Sequence, residues 1–349
     1  MENPNALHDS YIAKNGPKDV PDKVVMEETD AKPSAAKDPG HPYAQTRHIS
    51  FSFFDQRKSN APFGYEHYVS LPPAYETEEQ QKPWPLILFL HGAGESQRGR
   101  NESYLSIRHG IPKVILCYDK MKSNQSQTQN SDPDSEQELY RPDKPSISIP
   151  RAERLRKVKG TTGEPGDKSG DPVLPETCEL LAENFITVTP SLNMEYGYGW
   201  NASILSALLD EIVDRYRVDL DRIHVTGFSM GGYGTWDLAM HSPHRFASIM
   251  PICGGGDPLR VSHIKHIPHW VHHGDLDDTI PLKASKQMVE ALERAGADNV
   301  QFTRYPDLSH DSWTAAYGNP VVYKWMLYTR RHVKGDEHVV PEGNKVTVG

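Results

Sequence analysis

The segment RIHVTGFSMGGYGTWDLAM, residues 222–240, decides the fold. It begins as an apolar run typical of a buried strand and continues with the pattern of a helix. A serine at the turn between the two elements adopts a strained backbone that projects its hydroxyl above the sheet. Side chains two residues to either side of Ser229 would collide with the neighbouring strand and helix, which explains Gly227 and Gly231. Gly232 and Gly234 are expected to let the new helix pack close to the sheet.

Ser229 therefore lies in a G-x-S-x-G pattern with a predicted strand before it and a predicted helix after it. The G-x-S-x-G pattern by itself is a weak signal. Together with the strand before it and the helix after it, the pattern predicts that Ser229 is a nucleophile. A serine hydroxyl is a poor nucleophile at neutral pH and needs a histidine base, which a carboxylate must orient. In this architecture the acid and then the histidine follow the serine, each after a later strand.

The rest of the chain alternates strand and helix signals. Two alternating runs, HISFSFFD and YEHYVSLP, predict antiparallel strands with one buried face. Short apolar runs predict strands covered on both faces: PLILFLHG, FITVTP, RIHVTGF, FASIMPIC, HWVHHG and VQFTRYP. Helical patterns separate these runs: ILSALLDEIVDRY, GTWDLAM, KASKQMVEALERAG and VVYKWMLYTRR. The alternation predicts an α/β fold with a mostly parallel, doubly wound sheet and an antiparallel N-terminal hairpin.

Carboxylates and a histidine occur at the places that the mechanism requires. The segment HWVHHGDLDDTIP supplies Asp275, Asp277 and Asp278, and VQFTRYPDLSHDSW, around the last strand, supplies His310. The carboxyl ends of parallel strands meet at one edge of the sheet. We therefore expect one of the three aspartates, His310 and Ser229 to lie together at that edge.

The oxyanion of an acyl-transfer reaction needs preorganised N–H donors. One is expected to be the backbone amide of Met230, directly after the nucleophile. The other is expected from the loop FLHGAGE after the third strand, with Ala93 as the donor and Gly92 and Gly94 shaping the turn.

Three aromatic residues are expected to edge the substrate cleft, with ordinary packing as the alternative. Tyr198 and Trp200 belong to EYGYGWN, and Trp313 lies close to His310. The segment CGGGDPLRVSHIKHIP, after the sixth strand, is too short for a helical cap, so we expect no large cap and an open cleft. An open cleft suits short-chain or bulky acyl esters better than long lipids.

With these residues in view, the chain resembles the α/β-hydrolase superfamily. Within it, the chain is similar to serine carboxylesterases and predicted peptidases related to prolyl oligopeptidases, dienelactone hydrolases and polyhydroxybutyrate depolymerases. The shared pieces are PLILFLHGAGE, RHGIPKVI, YRVDLDRIHVTGFSMGGYGTWDLA, PICGGGDP, VHHGDLDDTIPL and YPDLSHDSWTAAY, which span about residues 60–330 without a middle insertion. The resemblance implies the α/β-hydrolase fold and a serine hydrolase that cleaves carboxylic esters through an acyl-enzyme.

The resemblance also implies roles for single residues. In that family the acid is the fifth residue of a segment beginning His-Gly, which is Asp277 here. Asp278 is the alternative acid, and Asp275 is expected to brace the loop. The family's histidine matches His310, although Ser309 stands where glycine is usual, which questions the local turn. A serine peptidase or a thioesterase on the same triad, or a non-catalytic scaffold on the same fold, are the alternative functions.

Two tails and an insertion flank or interrupt the predicted catalytic domain, residues 45–335. We assign residues 1–44 as a disordered N-terminal tail and residues 336–349 as a C-terminal tail. The insertion, residues 119–172, is assigned as a flexible segment. The tail 1–44 and the insertion are polar and charged, so neither can bury enough apolar surface to offset its ordering entropy. The insertion is expected on the face opposite Ser229, because it joins the end of a returning helix to the start of the next strand.

The composition of the chain excludes some classes of binding partner and favours one cellular compartment. The chain has 349 residues and a net charge of −9, with no basic face that would suggest nucleic acid. No apolar run reaches the roughly 18 to 20 residues of a membrane span, and no secretory signal is visible. The three cysteines suit a reducing, cytoplasmic compartment because they are odd in number and lack C-x-x-C spacing: Cys117, Cys178 and Cys253.

The histidine-rich run HIKHIPHWVHH is the remaining motif with a possible chemistry. Because part of it reads as a strand that leads into the acid loop, structural or solvated histidines are favoured over metal ligands. We expect a small-molecule ester as the partner, no metal and no cofactor. The oligomeric state stays open.

Overall fold

A computed structural model describes residues 48–52, 65–75, 82–98, 102–128 and 173–331. The predicted tails 1–44 and 336–349, and residues 129–172 of the predicted insertion, lie outside the described residues. The described strands form one eight-stranded sheet in the order β1-β2-β4-β3-β5-β6-β7-β8. The strands are β1 His48–Ser52, β2 Glu66–Ser70, β3 Trp84–Leu90, β4 Ile186–Ser191, β5 Val218–Phe228, β6 Ser248–Ile252, β7 His269–Gly274 and β8 Val300–Tyr305.

Strand direction divides the sheet into two parts. Strands β1 and β2 pair antiparallel, and β2 pairs antiparallel with β4. From β4 to β8 every pairing is parallel. The predicted α/β fold is confirmed, with its mostly parallel sheet and its antiparallel N-terminal hairpin. Strands β3, β4, β6 and β7 are buried along their whole length, which is why they read as continuous apolar runs.

Helices cover both faces of the sheet. The helices are α1 Gly110–Thr128, α2 Pro175–Asn184, α3 Ala202–Arg215, α4 Met230–His241, α5 Lys283–Arg294, α6 Trp313–Gly318 and α7 Pro320–Tyr328. Helices α3, α4 and α5 contribute to one apolar core, and α1, α2, α6 and α7 to the other. Along β3 the side chains alternate between the two, with Leu88 in the first core and Phe89 in the second.

The signals that set the helices are local. Asn201 caps α3 by accepting hydrogen bonds from the N–H groups of Ser203 and Ile204. Helix α5 buries one stripe of side chains and exposes the other, which is the pattern of a helix on the outside of a sheet. Helix α4 is buried on most of its circumference because it begins directly at the centre of the sheet.

Two features of the chain differ from the sequence prediction. Helix α1 runs to Thr128, so the first ten residues of the predicted insertion, 119–128, are helical and not irregular. Helix α2 was not predicted, although Pro175 at its first position and Glu176 in its first turn are ordinary helix-start signals.

Helix α2 also changes the argument about where the insertion lies. The chain enters α2 before it reaches β4, and the first turn of α2 contacts the segment that follows His310. The Thr177 hydroxyl in this turn donates to the carbonyl of Gly318, the last residue of α6, at 2.9 Å. The assumption that the insertion leads straight to the start of a strand is therefore wrong. Its predicted place opposite Ser229 stays a prediction without that support.

Two predicted absences concern segments that the structure does describe. Residues 253–268, between β6 and β7, contain one short 3-10 helix, Val261–His263, and no helical cap. Among the described helices, none combines the length and the apolar character that crossing a bilayer requires.

Candidate active site

The turn between β5 and α4 holds Ser229 in a backbone conformation that L-residues rarely adopt, with φ 55° and ψ −119°. A Cβ atom at Gly231 would lie 1.9 Å from the carbonyl oxygen of Leu90, and one at Gly227 would lie 2.5 Å from that same oxygen. Since backbone atoms at this crossing cannot move aside, both positions require glycine. The N–H of Ser229 donates to the carbonyl of Ile252 at 3.0 Å, which ties the turn to β6.

The hydroxyl at this turn begins a chain of hydrogen bonds. Ser229 Oγ lies 3.0 Å from Nε2 of His310, and Nδ1 of His310 lies 2.8 Å from Oδ2 of Asp277. Both His310 and Asp277 are buried. Because an ionised carboxylate only accepts, Nδ1 carries the hydrogen and Nε2 is the free base that faces the serine. The loops after β5, β7 and β8 supply these three side chains, as the order along the chain requires.

Asp277 is held by its own loop. Its Oδ1 accepts hydrogen bonds from the N–H groups of Thr279 at 2.9 Å and Ile280 at 2.8 Å. Burial by itself would raise the pKa of this carboxyl, but hydrogen bonds from His273 and His310 outweigh it and hold the pKa well below its usual range. Asp277 is therefore ionised at neutral pH.

The other two aspartates of the loop have different surroundings. Asp278 is exposed, and its Oδ1 accepts from the Thr279 hydroxyl at 3.3 Å. Asp275 pairs with Arg304 through two bonds of 2.8 and 2.7 Å, which link the end of β7 to β8. This contact corresponds to the bracing role expected for Asp275.

Two helix starts line the same cleft as Ser229. Met230 is the first residue of α4, and Ala93 is the first residue of a short 3-10 helix, Ala93–Glu95. The N–H groups at the start of a helix have no acceptor inside that helix, so they are available to an oxyanion. Gly92 keeps this turn close to β5, because a Cβ atom there would lie 2.7 Å from the Phe228 ring.

Glu95 lies buried at the end of the same turn. Burial raises the pKa of Glu95 to about 7, and the nearby Arg108 opposes that rise. His109 Nε2 lies 3.8 Å from Glu95 Oε1. This carboxyl was not predicted to belong to the site, and it lies next to the turn that carries Ala93.

An open cleft of about 650 Å³ runs from Ser229 along one face of α4. Met230, Tyr233, Asp237 and Met240 follow each other on that face, over a length of roughly 15 Å. Gly234 of α4 also lines the cleft, and the remaining lining residues come from four loops: Ala93, Tyr198, Gly199, Trp200, Gly256, Asp257, Arg260, Thr279 and Ile280. Along this wall Arg260 donates to Asp237 at 3.1 Å, so the cleft carries an ion pair about two helical turns from the serine.

Of the three aromatic residues that were predicted to edge the cleft, two line it. Tyr198 lines the cleft with 80% of its surface exposed. Trp200 lines it too, held by a hydrogen bond from Nε1 to the His91 carbonyl at 3.2 Å.

Trp313 does not line the cleft, so the pocket-edge prediction is wrong for this residue and the packing alternative holds. It is buried, stacks on Phe228 with ring centroids 4.3 Å apart, and presents its ring edge-on to His310 at 5.3 Å. Of Gly92, Ala93 and Gly94, only Ala93 lines the cleft, so the two glycines are not among its lining residues.

Several residues that line the cleft were not predicted from the sequence. The spacing of Tyr233, Asp237 and Met240 along the helix after Ser229 was a usable signal for one wall of the cleft. Arg260, Thr279 and Ile280 come from loops, where no periodic pattern points to them.

Cys253 was also missed as a neighbour of the triad. Its sulfur and ligand atoms of Asp277 and His310 lie within 4.8 Å of one another, which is the one such group among the described residues. Burial raises the pKa of the Cys253 thiol well above its usual range. In the histidine-rich run, His269, His272 and His273 are buried on β7, as expected for structural histidines.

Comparison with known proteins supports the same fold. A family model described as phospholipase/carboxylesterase matches residues 187–318, which include Ser229, Asp277 and His310. The chain is similar to this family over that segment, which is less than half of its length.

Among characterised relatives, a protein from Escherichia coli O157:H7, provisionally named a carboxymethylenebutenolidase, is 25% identical over 164 residues. That match covers 39% of this chain and 60% of the relative. A bifunctional acetylxylan esterase/xylanase, XynS20E from Neocallimastix patriciarum, is 25% identical over 122 residues, covering 35% of this chain and 17% of the relative. The crystal structure of a thermostable esterase superposes with a TM-score of 0.54 at 23% identity, covering 82% of this chain and 64% of that one. The chain thus spans less than two thirds of the length of each of these relatives.

Proposed function

We propose that the protein is a serine esterase that hydrolyses carboxylic esters through an acyl-enzyme on Ser229. The observation that carries the proposal is the hydrogen-bonded path from Ser229 Oγ through His310 to Asp277, at 3.0 and 2.8 Å, opening onto a cleft. The match to a phospholipase/carboxylesterase family model supports the class of reaction.

In the acylation step, Ser229 Oγ attacks the carbonyl carbon of the ester and His310 Nε2 takes the hydroxyl proton. The carbonyl electron pair moves onto oxygen, where the N–H groups of Ala93 and Met230 stabilise the negative charge. The ionised Asp277 stabilises the imidazolium that forms on His310. Collapse of the intermediate breaks the bond to the alcohol oxygen, which leaves with the proton from Nε2.

In the deacylation step, a water molecule takes the place of the alcohol. His310 Nε2 removes a proton from the water as its oxygen attacks the acyl carbon, and the same two N–H groups stabilise the second oxyanion. Collapse breaks the bond to Ser229 Oγ, which recovers its proton from His310. The products are one carboxylic acid and one alcohol, and the enzyme returns to its starting state.

The shape of the cleft supports short-chain or bulky acyl esters as the substrate class. The cleft is open along α4, and the exposed ring of Tyr198 forms part of its rim. Such a cleft leaves room for a wide group near the carbonyl but gives a long alkyl chain no enclosed tunnel. The ion pair of Arg260 and Asp237 in the wall of the cleft is also a poor environment for a long alkyl chain.

The three cysteines support the reducing, cytoplasmic environment proposed for this enzyme. Cys117, Cys178 and Cys253 are all buried, and none of them is in a disulfide. In a secreted protein an odd set of free thiols would be unusual.

A substrate panel tests the reaction class. Purified protein is assayed with acetyl, butyryl and benzoyl p-nitrophenyl esters, the matching thioesters and the matching p-nitroanilides, together with Ser229→Ala. We expect the highest kcat/KM for esters and loss of hydrolysis in Ser229→Ala. A preference for thioesters or anilides would instead assign a thioesterase or a peptidase, and no hydrolysis of any of them would favour a non-catalytic scaffold.

Ser203→Ala is a matched control for this assay. Ser203 Oγ lies 3.3 Å from His241 Nε2, so it is a second serine–histidine contact, but it is exposed on α3 away from the cleft. Because no carboxylate or oxyanion donor accompanies that pair, its removal should leave hydrolysis unchanged.

A further inference from the structure

Asp277 faces two histidines and not one. His273, near the end of β7, places Nε2 3.1 Å from Oδ2 of Asp277, and both side chains are fully buried. The same Oδ2 lies 2.8 Å from Nδ1 of His310. One carboxylate oxygen is therefore shared between the predicted catalytic base and a second imidazole that does not reach the serine.

The contacts of His273 fix where its hydrogen lies. Besides Asp277 Oδ2, Nε2 faces the carbonyl oxygen of Ile280 at 2.9 Å. Both of these oxygens can only accept a hydrogen bond. An Nε2 without a hydrogen would therefore face two other acceptors in a buried site, which is unfavourable. Nε2 therefore carries a hydrogen and shares it between Ile280 and Asp277.

This contact completes the set of donors around the Asp277 carboxylate. Oδ1 accepts from the N–H groups of Thr279 and Ile280, and Oδ2 lies against the two imidazoles. A carboxylate has about four lone-pair sites, so all of them face a donor. A buried charge held in this way has one preferred orientation, because rotation would leave acceptors unpaired.

The other side of the His273 ring is anchored outside the acid loop. The hydroxyl oxygen of Ser285 on α5 lies 2.7 Å from Nδ1 of the ring and 3.0 Å from the carbonyl oxygen of Gly254, so its single hydrogen is shared between these two acceptors. The ring is thus tied to α5 and to the loop after β6, and Asp277 is in turn held against the ring.

We propose that His273 is a positioning residue of the active site, whose Nε2–H fixes the Asp277 carboxylate and thereby the orientation of His310. The proposal rests on the serine esterase function proposed above, since it assigns a role within that triad. Hydrogen bonds from His273 and His310 also hold the pKa of Asp277 low against the opposing effect of burial.

Removal of His273 has two expected effects on catalysis. Asp277 gains freedom to rotate, which misorients His310 relative to Ser229. Oδ2 also becomes a stronger acceptor for His310, which favours the imidazolium and moves the acidic limb of the kcat/KM profile to higher pH. The other titratable groups that face Asp277 are Cys253 and Tyr233, and burial raises the pKa of both, so neither gains charge in this range.

The test compares His273→Leu, which has no donor, with His273→Gln, whose amide nitrogen can occupy the place of Nε2. We expect kcat to fall about ten- to a hundredfold in His273→Leu with KM within about twofold, as for a small misplacement of a catalytic group. The acidic limb should move to higher pH in the same variant. His273→Gln should recover most of the wild-type kcat and profile.

His224→Leu is the matched control. His224 is equally buried, and its Nδ1 bonds to the Ser248 hydroxyl at 2.8 Å, as that of His273 bonds to Ser285. It makes no contact with the triad, so its loss should lower the melting temperature without moving the pH profile. A control that shifts the profile as far as His273→Leu does would reduce His273 to an ordinary buried histidine and overturn the proposal.

A second readout does not depend on hydrolysis. In protein with ¹⁵N-labelled histidine, His310 Nδ1–H and His273 Nε2–H should give two far-downfield resonances. His273→Leu should remove one and shift the other, whereas Ser229→Ala should keep both. If esters are not hydrolysed but this pattern is seen, the esterase function fails and the positioning role stands.

The result that overturns the proposal is a folded His273→Leu variant with wild-type kcat, wild-type pH profile and an unshifted His310 resonance. If His273→Leu does not fold, Ser285→Ala replaces it, because it removes the partner of Nδ1 and loosens the ring. A smaller shift of the His310 resonance in the same direction is then expected, and an unchanged resonance contradicts the proposal.

Discussion

Asp277 Oδ2 lies 2.8 Å from Nδ1 of His310, although the two residues are 33 positions apart in the chain. The adjacent Asp278 is exposed, and its side chain accepts a longer bond of 3.3 Å from Thr279. Two neighbouring aspartates, which the order of elements alone could not distinguish, therefore have different surroundings.

The first prediction follows from that difference. Asp277→Asn should lower kcat by about 10⁴, because an amide oriented by the N–H groups of Thr279 and Ile280 favours the wrong tautomer of His310. Asp278→Asn should leave kcat within about twofold, since a surface substitution away from the path changes little. Steady-state kinetics with a p-nitrophenyl ester would decide, and a larger loss in Asp278→Asn would move the role of the acid to that residue.

A second prediction concerns the turn that holds the serine. Gly231→Ala places a methyl group 1.9 Å from the Leu90 carbonyl oxygen, so the strand or the helix must shift. We expect the free energy of unfolding to fall by at least about 2 kcal/mol, visible as a lower melting temperature, together with loss of activity. In Gly318→Ala the methyl group meets nothing within 4 Å, and this control should melt at or slightly above the wild-type temperature. Equal melting temperatures for the two variants would contradict the steric argument.

A third prediction concerns pH and stability. Burial lowers the pKa of four histidines that have no exposed surface from 6.5 to about 3: His67, His224, His269 and His272. The unfolded chain binds protons at these residues below about pH 6.5 while the folded chain does not, so stability should fall steadily as pH drops from 6.5 toward 3. Glu95, whose pKa burial raises to about 7, acts in the opposite direction but is a single group.

Melting temperatures measured from pH 7.5 to 4.5 test this dependence. We expect a continuous decline below pH 6.5 and a shallower decline in His224→Gln, which removes one of the four groups. A melting temperature that stays constant down to pH 4.5 would contradict the burial of these rings as neutral imidazoles.

A fourth prediction concerns acyl length. Because the cleft is open and carries the ion pair of Arg260 and Asp237 in its wall, kcat/KM should peak for short acyl chains and decline beyond about eight carbons. A series of p-nitrophenyl esters from acetate to palmitate measures this. A steady rise beyond about eight carbons would mean that the chain finds an apolar channel that the cleft does not have.

Much of the fold could be predicted because the buried parallel strands leave apolar runs in the sequence. Ser229 was equally visible, since the steric demands of its turn leave only glycine at Gly227 and Gly231. Helix α2 was missed because it is short, begins next to a polar insertion and buries only part of its surface.

Other features of the site depend on packing that no local pattern encodes. Trp313 is the first residue of α6 and lies three positions beyond His310. This position fits a cleft wall as well as the core, and only the stack on Phe228 distinguishes the two. Likewise, the contact of His273 with Asp277 requires the register of β7 and the start of α5, which the histidine-rich run does not reveal.

Labelling of Ser229 by a fluorophosphonate tests the central claim most directly, because it requires an activated serine and no knowledge of the natural ester. If Ser229 is a nucleophile activated by His310, one phosphonyl group should be added per chain, on the peptide that contains Ser229. Labelling should be slower in His310→Ala. Ser203→Ala should label as fast as the wild type. A folded protein that stays unlabelled, or that is labelled equally in Ser229→Ala, would contradict the assignment of Ser229 as the nucleophile.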